Sequence, residues 1–195
     1  MIIGITGGTG CGKTTALEAI RQLGGTVLDC DAIYHELLET DTALLSAIDA
    51  RFPGTVENGK LHRKKLGQIV FTDKQALLDL NQITHSAVKT EVLRRLNKTT
   101  GLAAIDAIAL FESGLDKLCK LTVAITAPEE ARVIRLMARE NISEEYARKR
   151  IAAQPSQEDF LKRCDYCLHN DGTCEEFLSK CLAFFRDLAI IKENQ

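Results

Sequence analysis

Apolar residues in this chain fall into two patterns: short continuous runs, and longer segments in which they recur every three or four positions. The runs are typical of buried strands, and the periodic segments are typical of amphipathic helices. We predict strands at residues 2–6, 26–30, 102–111, 121–126 and 166–169, with helices between them. This alternation favours an α/β fold built on a doubly wound parallel sheet of five strands, and such sheets bind ligands at the carboxyl ends of their strands.

One segment without a predicted strand, residues 32–101, is much too long for an ordinary α/β connection of about 2 to 6 residues. Its apolar residues follow helical spacing at 41–52 and again at 73–96. Turn-forming residues at 51–59 separate the two patterns. We therefore predict a helical insert.

A second such segment, residues 128–163, carries several helix-start signals. Pro128 suits the first position of a helix, Ser143 and Ser156 suit N-caps, and Asp159 is placed for a capping box with Ser156. We predict a helical lid here. The core of this single domain then comprises residues 1–31, 102–127 and 164–195, and an apolar stripe at 175–191 predicts a last helix packed on the core.

Directly after the first predicted strand, residues 7–14 read Gly-Gly-Thr-Gly-Cys-Gly-Lys-Thr, a complete Gly-x-x-x-x-Gly-Lys-Thr phosphate-binding loop. The backbone N–H groups of such a loop surround a polyphosphate, Lys13 can reach its β and γ phosphates, and the Thr14 hydroxyl can hold Mg²⁺. A predicted helix at 15–23 would direct its positive end at the anion. The predicted nucleotide-binding residues of this P-loop are Gly8, Thr9, Gly10, Cys11, Gly12, Lys13, Thr14 and Thr15.

Composition limits the classes of protein to which the chain can belong. Its 195 residues are 45% hydrophobic and 27% charged, and the formal net charge is -2. This balance gives no overall basic field of the kind that attracts proteins to nucleic acid or anionic membranes. No apolar run approaches the roughly 20 residues needed to cross a bilayer. We expect a cytoplasmic protein that binds neither nucleic acid nor membrane, a monomer in the first instance with an oligomer left open.

The seven cysteines are an odd number in a chain long enough to need no covalent staples, and we expect reduced thiols. Cys164 and Cys167, with His169, Cys174 and Cys181 downstream, could instead be read as a zinc site, although turn residues are missing between the close pair. Cys11 lies in the P-loop near a helix start, where the pKa of a thiol can fall. We expect Cys11 to be sensitive to alkylation and not catalytic.

The predicted lid is strongly basic, although the chain as a whole is slightly acidic. A solvated helix face with i, i+4 pairs such as Glu145 with Lys149 is one explanation. The other is a lid that clamps phosphates, since arginine suits the charge of a transferring phosphoryl group. The basic residues in question are Arg132, Arg135, Arg139, Arg148, Lys149 and Arg150.

The second predicted strand ends in Leu-Asp-Cys-Asp at residues 28–31, and in a doubly wound sheet this end lies beside the P-loop. Strand geometry would put Asp29 and Asp31 on the same face of the strand, with Asp31 closer to the ligand-binding edge of the sheet. We predict that Asp31 is a general base that takes the proton of an attacking hydroxyl. The alternative is that Asp31 only caps the following helix. A small kinase is favoured over a GTPase because the chain has no Asn-Lys-x-Asp segment.

Taken together and in order, the motifs resemble those of the dephospho-coenzyme A kinase family, within the P-loop group of nucleoside-monophosphate-kinase-like proteins. The resemblance spans nearly the whole chain, and the joint order of its motifs is specific where the loop alone is generic. The matching segments are Ile5–Thr14, Asp29-Cys-Asp31, residues 61–66 with 69–71, Ile83-Thr-His85, Leu110-Phe-Glu112, Arg135-Leu-Met-Ala-Arg139, residues 151–154, Cys164-Asp165 and Asn170-Asp-Gly172.

The resemblance implies transfer of the γ-phosphoryl group of ATP to the ribose 3′-hydroxyl of dephospho-coenzyme A, with Mg²⁺ as the metal. Asp31 falls on the family's base, and Lys13 and Thr14 fall on its phosphate and Mg²⁺ ligands. The resemblance also assigns a catalytic role to Lys13 and Arg139. Further expected contacts are Arg135 and Arg139 with the ATP phosphates, Asn170 and Gly172 near the adenine, and Arg63, His85 and Glu112 with the acceptor.

Two departures from the family pattern lie near the expected acceptor pocket. Ser86, directly after His85, and Ile108, two residues before Leu110, each stand where the family commonly has proline. The basic run at residues 62–65 could contact the acceptor's diphosphate or could simply be a solvated helix start. Two other functions stay open. One is a small P-loop kinase for a nucleotide or sugar, and the other is a non-catalytic nucleotide sensor.

Overall fold

The structure is a computed structural model that describes residues 1–193. The described residues separate into two compact units. Residues 1–28 and 99–193 form the first, which we call the core unit. Residues 29–98 form the second, the insert unit.

The five-stranded sheet has the strand order β2-β5-β1-β6-β7, so β1 is central and β1 and β2, which are consecutive in the chain, are not neighbours in the sheet. Strand β1 pairs in parallel with β5 and β6, and β6 pairs in parallel with β7. This arrangement confirms the predicted α/β fold. The strands are β1 (Ile2–Thr6), β2 (Thr26–Asp29), β5 (Ala103–Asp106), β6 (Leu121–Thr126) and β7 (Tyr166–His169).

The main apolar core lies between the sheet and two helices, the one that follows the P-loop and the last one. Ile3 and Ile5 of β1 are fully buried there, as are Ile20, Cys181 and Phe185 from the two helices. The last helix therefore packs on the core, as its apolar stripe predicted. The helices of the core unit are α1 (Lys13–Gln22), α6 (Glu129–Glu140), α7 (Glu144–Ala152), α8 (Gln157–Arg163) and α9 (Cys174–Glu193).

The insert unit is mainly helical, as predicted, and α2, α3 and α4 all contact α5. It also contains a small hairpin that the sequence analysis missed. The turn of this hairpin is Asn58-Gly59, with φ of 51° and 73°, which is the dipeptide that favours tight hairpin turns. The elements are α2 (Cys30–Thr40), α3 (Thr42–Arg51), β3 (Val56–Glu57), β4 (Lys60–Leu61), α4 (Arg63–Val70) and α5 (Lys74–Leu96).

Two predicted boundaries are wrong in informative ways. Strand β5 ends at Asp106 and not at residue 111, because the chain then turns, with the Leu115 N–H bonded to the Leu110 carbonyl at 3.0 Å. Pro128 is the N-cap of α6 and not its first residue. Ser143 and Ser156 do cap α7 and α8.

Candidate functional site

The P-loop joins the carboxyl end of β1 to the start of α1, at the ligand-binding edge of the sheet. Helix α1 begins at Lys13, and the N–H groups of Thr15 and Ala16 already bond to the carbonyl of Gly12. The N–H groups that precede Thr15 have no partners within the helix, and such groups form an anion site together with the helix dipole. The predicted strand, loop and helix order is therefore present.

Gly12 adopts a left-handed conformation with φ of 101°, which an L-residue with a side chain rarely takes. A Cβ atom at this position would also overlap the side-chain amide of Asn170. That amide donates to the Cys11 carbonyl at 2.9 Å, and Asn170 is buried. Asn170 thus fixes the second half of the loop, while its expected place beside the adenine stays a prediction.

Lys13 and Thr14 lie at the start of α1, where a polyphosphate would be bound. The Lys13 ammonium donates to the Gly7 carbonyl at 3.0 Å, across the two ends of the loop. Thr14 is exposed, and Thr15 lies with its hydroxyl 3.8 Å from the Cys174 thiol. Lys13 is therefore held at the loop by a neutral acceptor.

Three side chains from the predicted lid hold the first half of the loop. Arg132 donates through Nε to the Thr9 carbonyl at 2.9 Å, and Arg135 donates through Nη1 to the Gly10 carbonyl at 3.3 Å. The Thr9 N–H donates to Gln154 Oε1 at 2.7 Å. Arg135 also donates to Asn170 Oδ1 at 3.2 Å. No sequence pattern predicted a site role for Gln154, and Arg132 was predicted only as one of the basic residues of the lid.

The other basic residues of the lid form exposed ion pairs. Arg139 donates to Glu140 at 2.6 Å, and Lys149 donates to Glu145 at 2.7 Å, as the solvated-face explanation expected. Arg148 contacts Glu129, Glu130 and Glu144, and Arg150 contacts Glu140. The solvated-face explanation thus fits these residues, whereas the clamping of phosphates by Arg132 and Arg135, which contact the loop, stays a prediction.

The expectation of a lowered pKa at Cys11 is wrong. Its side chain is 2% exposed, and burial raises the pKa of the thiol more than the nearby charges of Lys13 and Arg132 lower it. A buried thiol with a raised pKa is a poor nucleophile. Cys11 is therefore a packed residue of the loop, and its alkylation sensitivity stays a prediction that its burial disfavours.

At the end of β2, the helix cap is Asp29 and not Asp31. Asp29 Oδ1 accepts from the Ala32 N–H at 2.9 Å, and α2 already begins at Cys30. Asp31 lies in the first turn of α2, so the strand geometry used to place it beside Asp29 is wrong. The alternative that Asp31 serves as the cap is also wrong, and its carboxylate is exposed.

The insert residues expected to contact an acceptor lie on two helices. Arg63 begins α4 and contacts His35 Nδ1 at 3.2 Å, whereas His85 is half-buried on α5. Arg63 also lines an open cleft of about 590 Å³ in the insert unit. The other residues that line this cleft are Glu57, Leu61, His62, Lys64, Lys65 and Gln68. The basic run at 62–65 thus faces a surface recess large enough for part of a ligand.

In the core unit, Glu112 and Gly172 are both exposed. Glu112 forms an ion pair with Arg163, whose guanidinium lies 4.2 Å from the centre of the Phe111 ring. Gly172 precedes a capping arrangement at α9, in which the Thr173 N–H donates to Glu176 at 2.8 Å. Their expected ligand contacts stay predictions.

The seven cysteines are free thiols. Within residues 1–193, no group of three or more His, Cys, Asp or Glu side chains could hold a metal ion, so the zinc hypothesis gains no support. His169 contacts the Thr126 hydroxyl through Nδ1 at 2.9 Å. Among the residues that the structure describes, every helix is too short or too polar to span a bilayer.

Comparison with known proteins gives consistent results. Residues 1–176 match the family described as dephospho-CoA kinase. A curated dephospho-CoA kinase of Syntrophotalea carbinolica is 34% identical over 194 residues, which covers 96% of this chain and 92% of that protein. One of Bacillus cereus is 34% identical, with 98% of each chain covered.

Solved structures agree with the sequence matches. A dephospho-CoA kinase from Campylobacter jejuni superposes with a TM-score of 0.71 at 28% identity, covering 100% of this chain and 98% of that one. A shikimate kinase from Bacteroides thetaiotaomicron, with a TM-score of 0.54 at 14% identity and with 95% and 98% of the two chains covered, shares the fold alone. The order of P-loop, helical insert and lid, together with these matches, shows that the chain belongs to the dephospho-CoA kinase family.

Proposed function

We propose that this protein transfers the γ-phosphoryl group of ATP to the ribose 3′-hydroxyl of dephospho-CoA, giving CoA and ADP, the last step of CoA biosynthesis. The observation that carries the proposal is the P-loop of a dephospho-CoA kinase family member, held by Asn170, Arg132, Arg135 and Gln154 in a form suited to a polyphosphate. Backbone N–H groups and the N-terminus of α1 would bind the phosphates, and Lys13 would leave the Gly7 carbonyl for the charge on the transferring group.

The residues present fit a Mg²⁺ ion that arrives with the nucleotide. Thr14 offers an exposed hydroxyl on the first turn of α1, and Mg²⁺ commonly takes only one or two protein ligands beside substrate phosphates. When bound, Mg²⁺ would neutralise charge on the phosphates. Thr14 would hold it from the start of the helix.

Asp31 is the proposed general base. An exposed carboxylate in the first turn of α2 can rotate freely to accept the proton of a 3′-hydroxyl. Arg63 and the basic cleft of the insert unit offer cations for the acceptor's diphosphate, and His85 is a further candidate contact. From the lid, Arg139 would exchange its exposed partner Glu140 for ATP phosphate.

The test is a panel of acceptors with ATP and Mg²⁺, in which ADP release is measured and each product is identified by mass. We expect dephospho-CoA to be the preferred acceptor and to gain one phosphate on its ribose. Preference for a nucleoside monophosphate, shikimate or gluconate would replace the proposal with another small-acceptor kinase.

A non-catalytic nucleotide sensor is the remaining rival. It predicts tight ATP binding with no product from any acceptor. The cytoplasmic location, the monomeric state and the lack of nucleic-acid or membrane partners stay predictions.

A further inference from the structure

The peptide group of Thr9 is held at both of its polar backbone atoms by side chains distant in sequence. Its N–H donates to Gln154 Oε1 at 2.7 Å, and its carbonyl accepts from Arg132 Nε at 2.9 Å. Arg132 lies on α6, and Gln154 follows α7. Because an unpaired buried peptide group is costly, these two hydrogen bonds fix the orientation of the first half of the P-loop.

Arg132 is a rare kind of residue at such a place, since charged side chains are seldom fully buried unless they are paired. Arg132 is nevertheless only 4% exposed. Nη2 is buried and has no hydrogen-bond partner among the described residues. A Cβ atom on Gly8 would overlap Nη2, so the guanidinium lies directly against the loop backbone.

The charge of this guanidinium has no carboxylate bonded to it: the one described hydrogen bond of the side chain goes to a neutral carbonyl. Burial lowers the pKa of Arg132, and the nearby Cys11 and Glu129 oppose that change only in part. A buried cation is costly without a counter-charge. The anion that the adjoining loop is built to bind is a polyphosphate.

We propose that Arg132 is a positioning residue of the nucleotide site: together with Gln154 it fixes the Thr9 peptide, and the polyphosphate of the bound nucleotide compensates its buried charge. The inference rests on the proposed function in taking ATP as that nucleotide. It predicts that the buried, uncompensated charge of Arg132 destabilises the nucleotide-free protein, and that nucleotide binding removes this destabilisation. Arg132 would thus contribute to ATP affinity from behind the loop.

The first experiment compares Arg132→Met and Arg132→Lys with the unchanged protein. ATP affinity is measured by calorimetry without acceptor, and the melting temperature is measured with and without ATP. We expect Arg132→Met to weaken ATP binding about tenfold or more and to shrink the stabilisation by ATP. Lysine keeps the charge but lacks the guanidinium fork, so Arg132→Lys should recover part of the affinity.

The second experiment adds a counter-charge inside the protein. Glu at position 154 can still accept from the Thr9 N–H and can pair with the guanidinium. We expect Gln154→Glu to raise the melting temperature of the nucleotide-free protein by about 2 °C or more while weakening ATP binding. In an Arg132→Met background the gain in melting temperature should vanish, because the new carboxylate then has no cation to pair with.

Arg21→Met serves as the matched control, since Arg21 is half exposed on the last turn of α1 and its only described ion pair is with Glu18. It should leave ATP affinity unchanged. If Arg132→Met lowers the melting temperature but keeps the ATP affinity and ATP-induced stabilisation of the unchanged protein, Arg132 is merely structural and the proposal fails. An equal effect of Gln154→Glu in both backgrounds would also overturn it.

These outcomes are separable from those of the proposed function. Turnover of dephospho-CoA by the unchanged protein tests the function, whereas the affinity measurements use ATP alone. A protein that binds ATP through Arg132 and phosphorylates no acceptor would refute the function and leave the inference intact. Normal turnover with an Arg132-independent ATP affinity would do the reverse.

Discussion

The P-loop region of the core unit and the acceptor-binding candidates of the insert unit are built in opposite ways. Around the loop, Asn170 and Arg132 are buried, and each bonds to a loop carbonyl. In the insert unit, Asp31 and Arg63 are exposed in the first turns of their helices. One region is a preorganised polar network and the other is a solvated surface.

Under the proposed function, the difference indicates how nucleotide contacts and acceptor contacts would each obtain their affinity. A network of buried hydrogen bonds holds the loop in place before the ligand arrives, so little ordering is needed on binding. Exposed side chains must be ordered by the substrate itself. Substitutions around the loop should therefore change stability and binding together, whereas those in the insert should change function alone.

The largest effect should come from Asp31→Asn. Removal of a general base typically costs about 10²- to 10⁴-fold in rate, and Asn keeps the size of the side chain while losing the base. Because Asp31 is exposed, we expect the melting temperature and ATP affinity to stay near their original values. Steady-state turnover of dephospho-CoA, with calorimetry for ATP, measures both.

Asp29→Asn is the matched control for this change. Asp29 accepts from the Ala32 N–H as the N-cap of α2, and Asn is an equally good cap. Turnover should therefore be retained. Equal losses in the two variants would show that the carboxylates act through local structure, and an unchanged rate in Asp31→Asn would show that Asp31 is not the general base.

An intermediate effect is expected from Asn170→Ala in the loop network. The change removes the bond to the Cys11 carbonyl and leaves Arg135 without one of its acceptors, which should cost about 1 to 3 kcal/mol of unfolding free energy. ATP affinity should fall with it, because the loop backbone is no longer fixed. Urea unfolding and calorimetry measure the two effects.

Asn97→Ala, in the exposed C-cap of α5, is the comparison from the other region. It should change unfolding free energy by no more than about 0.5 kcal/mol. If Asn170→Ala proved equally mild, the loop would not depend on its buried network, and the contrast between the two regions would fail.

Much of the fold followed from hydrophobic pattern alone. The strands at 2–6, 121–126 and 166–169 have the predicted bounds. The strand at 102–111 was predicted too long, because the buried turn that includes Leu110 is as apolar as a strand. Apolar composition records burial, and it does not distinguish a strand from a turn packed in the core.

The site was predictable where the chemistry is local in sequence. The P-loop and the arginines of α6 could be read directly, but the contacts of Arg132 and Gln154 with Thr9 join residues more than a hundred positions apart. No local pattern encodes such contacts. Asp29 was missed as the cap because β2 and α2 follow each other without a loop, and strand periodicity was extended into the helix.

The smallest effect on stability should come from Arg63→Ala in the insert unit. Arg63 is exposed, so the loss of its contact with His35 should cost no more than about 0.5 kcal/mol of unfolding free energy. If its guanidinium binds an acceptor phosphate, KM for dephospho-CoA should nevertheless rise about tenfold, with kcat and the KM for ATP unchanged. Arg94→Ala is the matched control, because Arg94 is likewise exposed and pairs with Glu91 at 2.6 Å. A KM increase for both substrates in Arg63→Ala would mean that this solvated surface also binds the nucleotide. An equal KM increase in Arg94→Ala would show that the effect comes from the change in net charge alone.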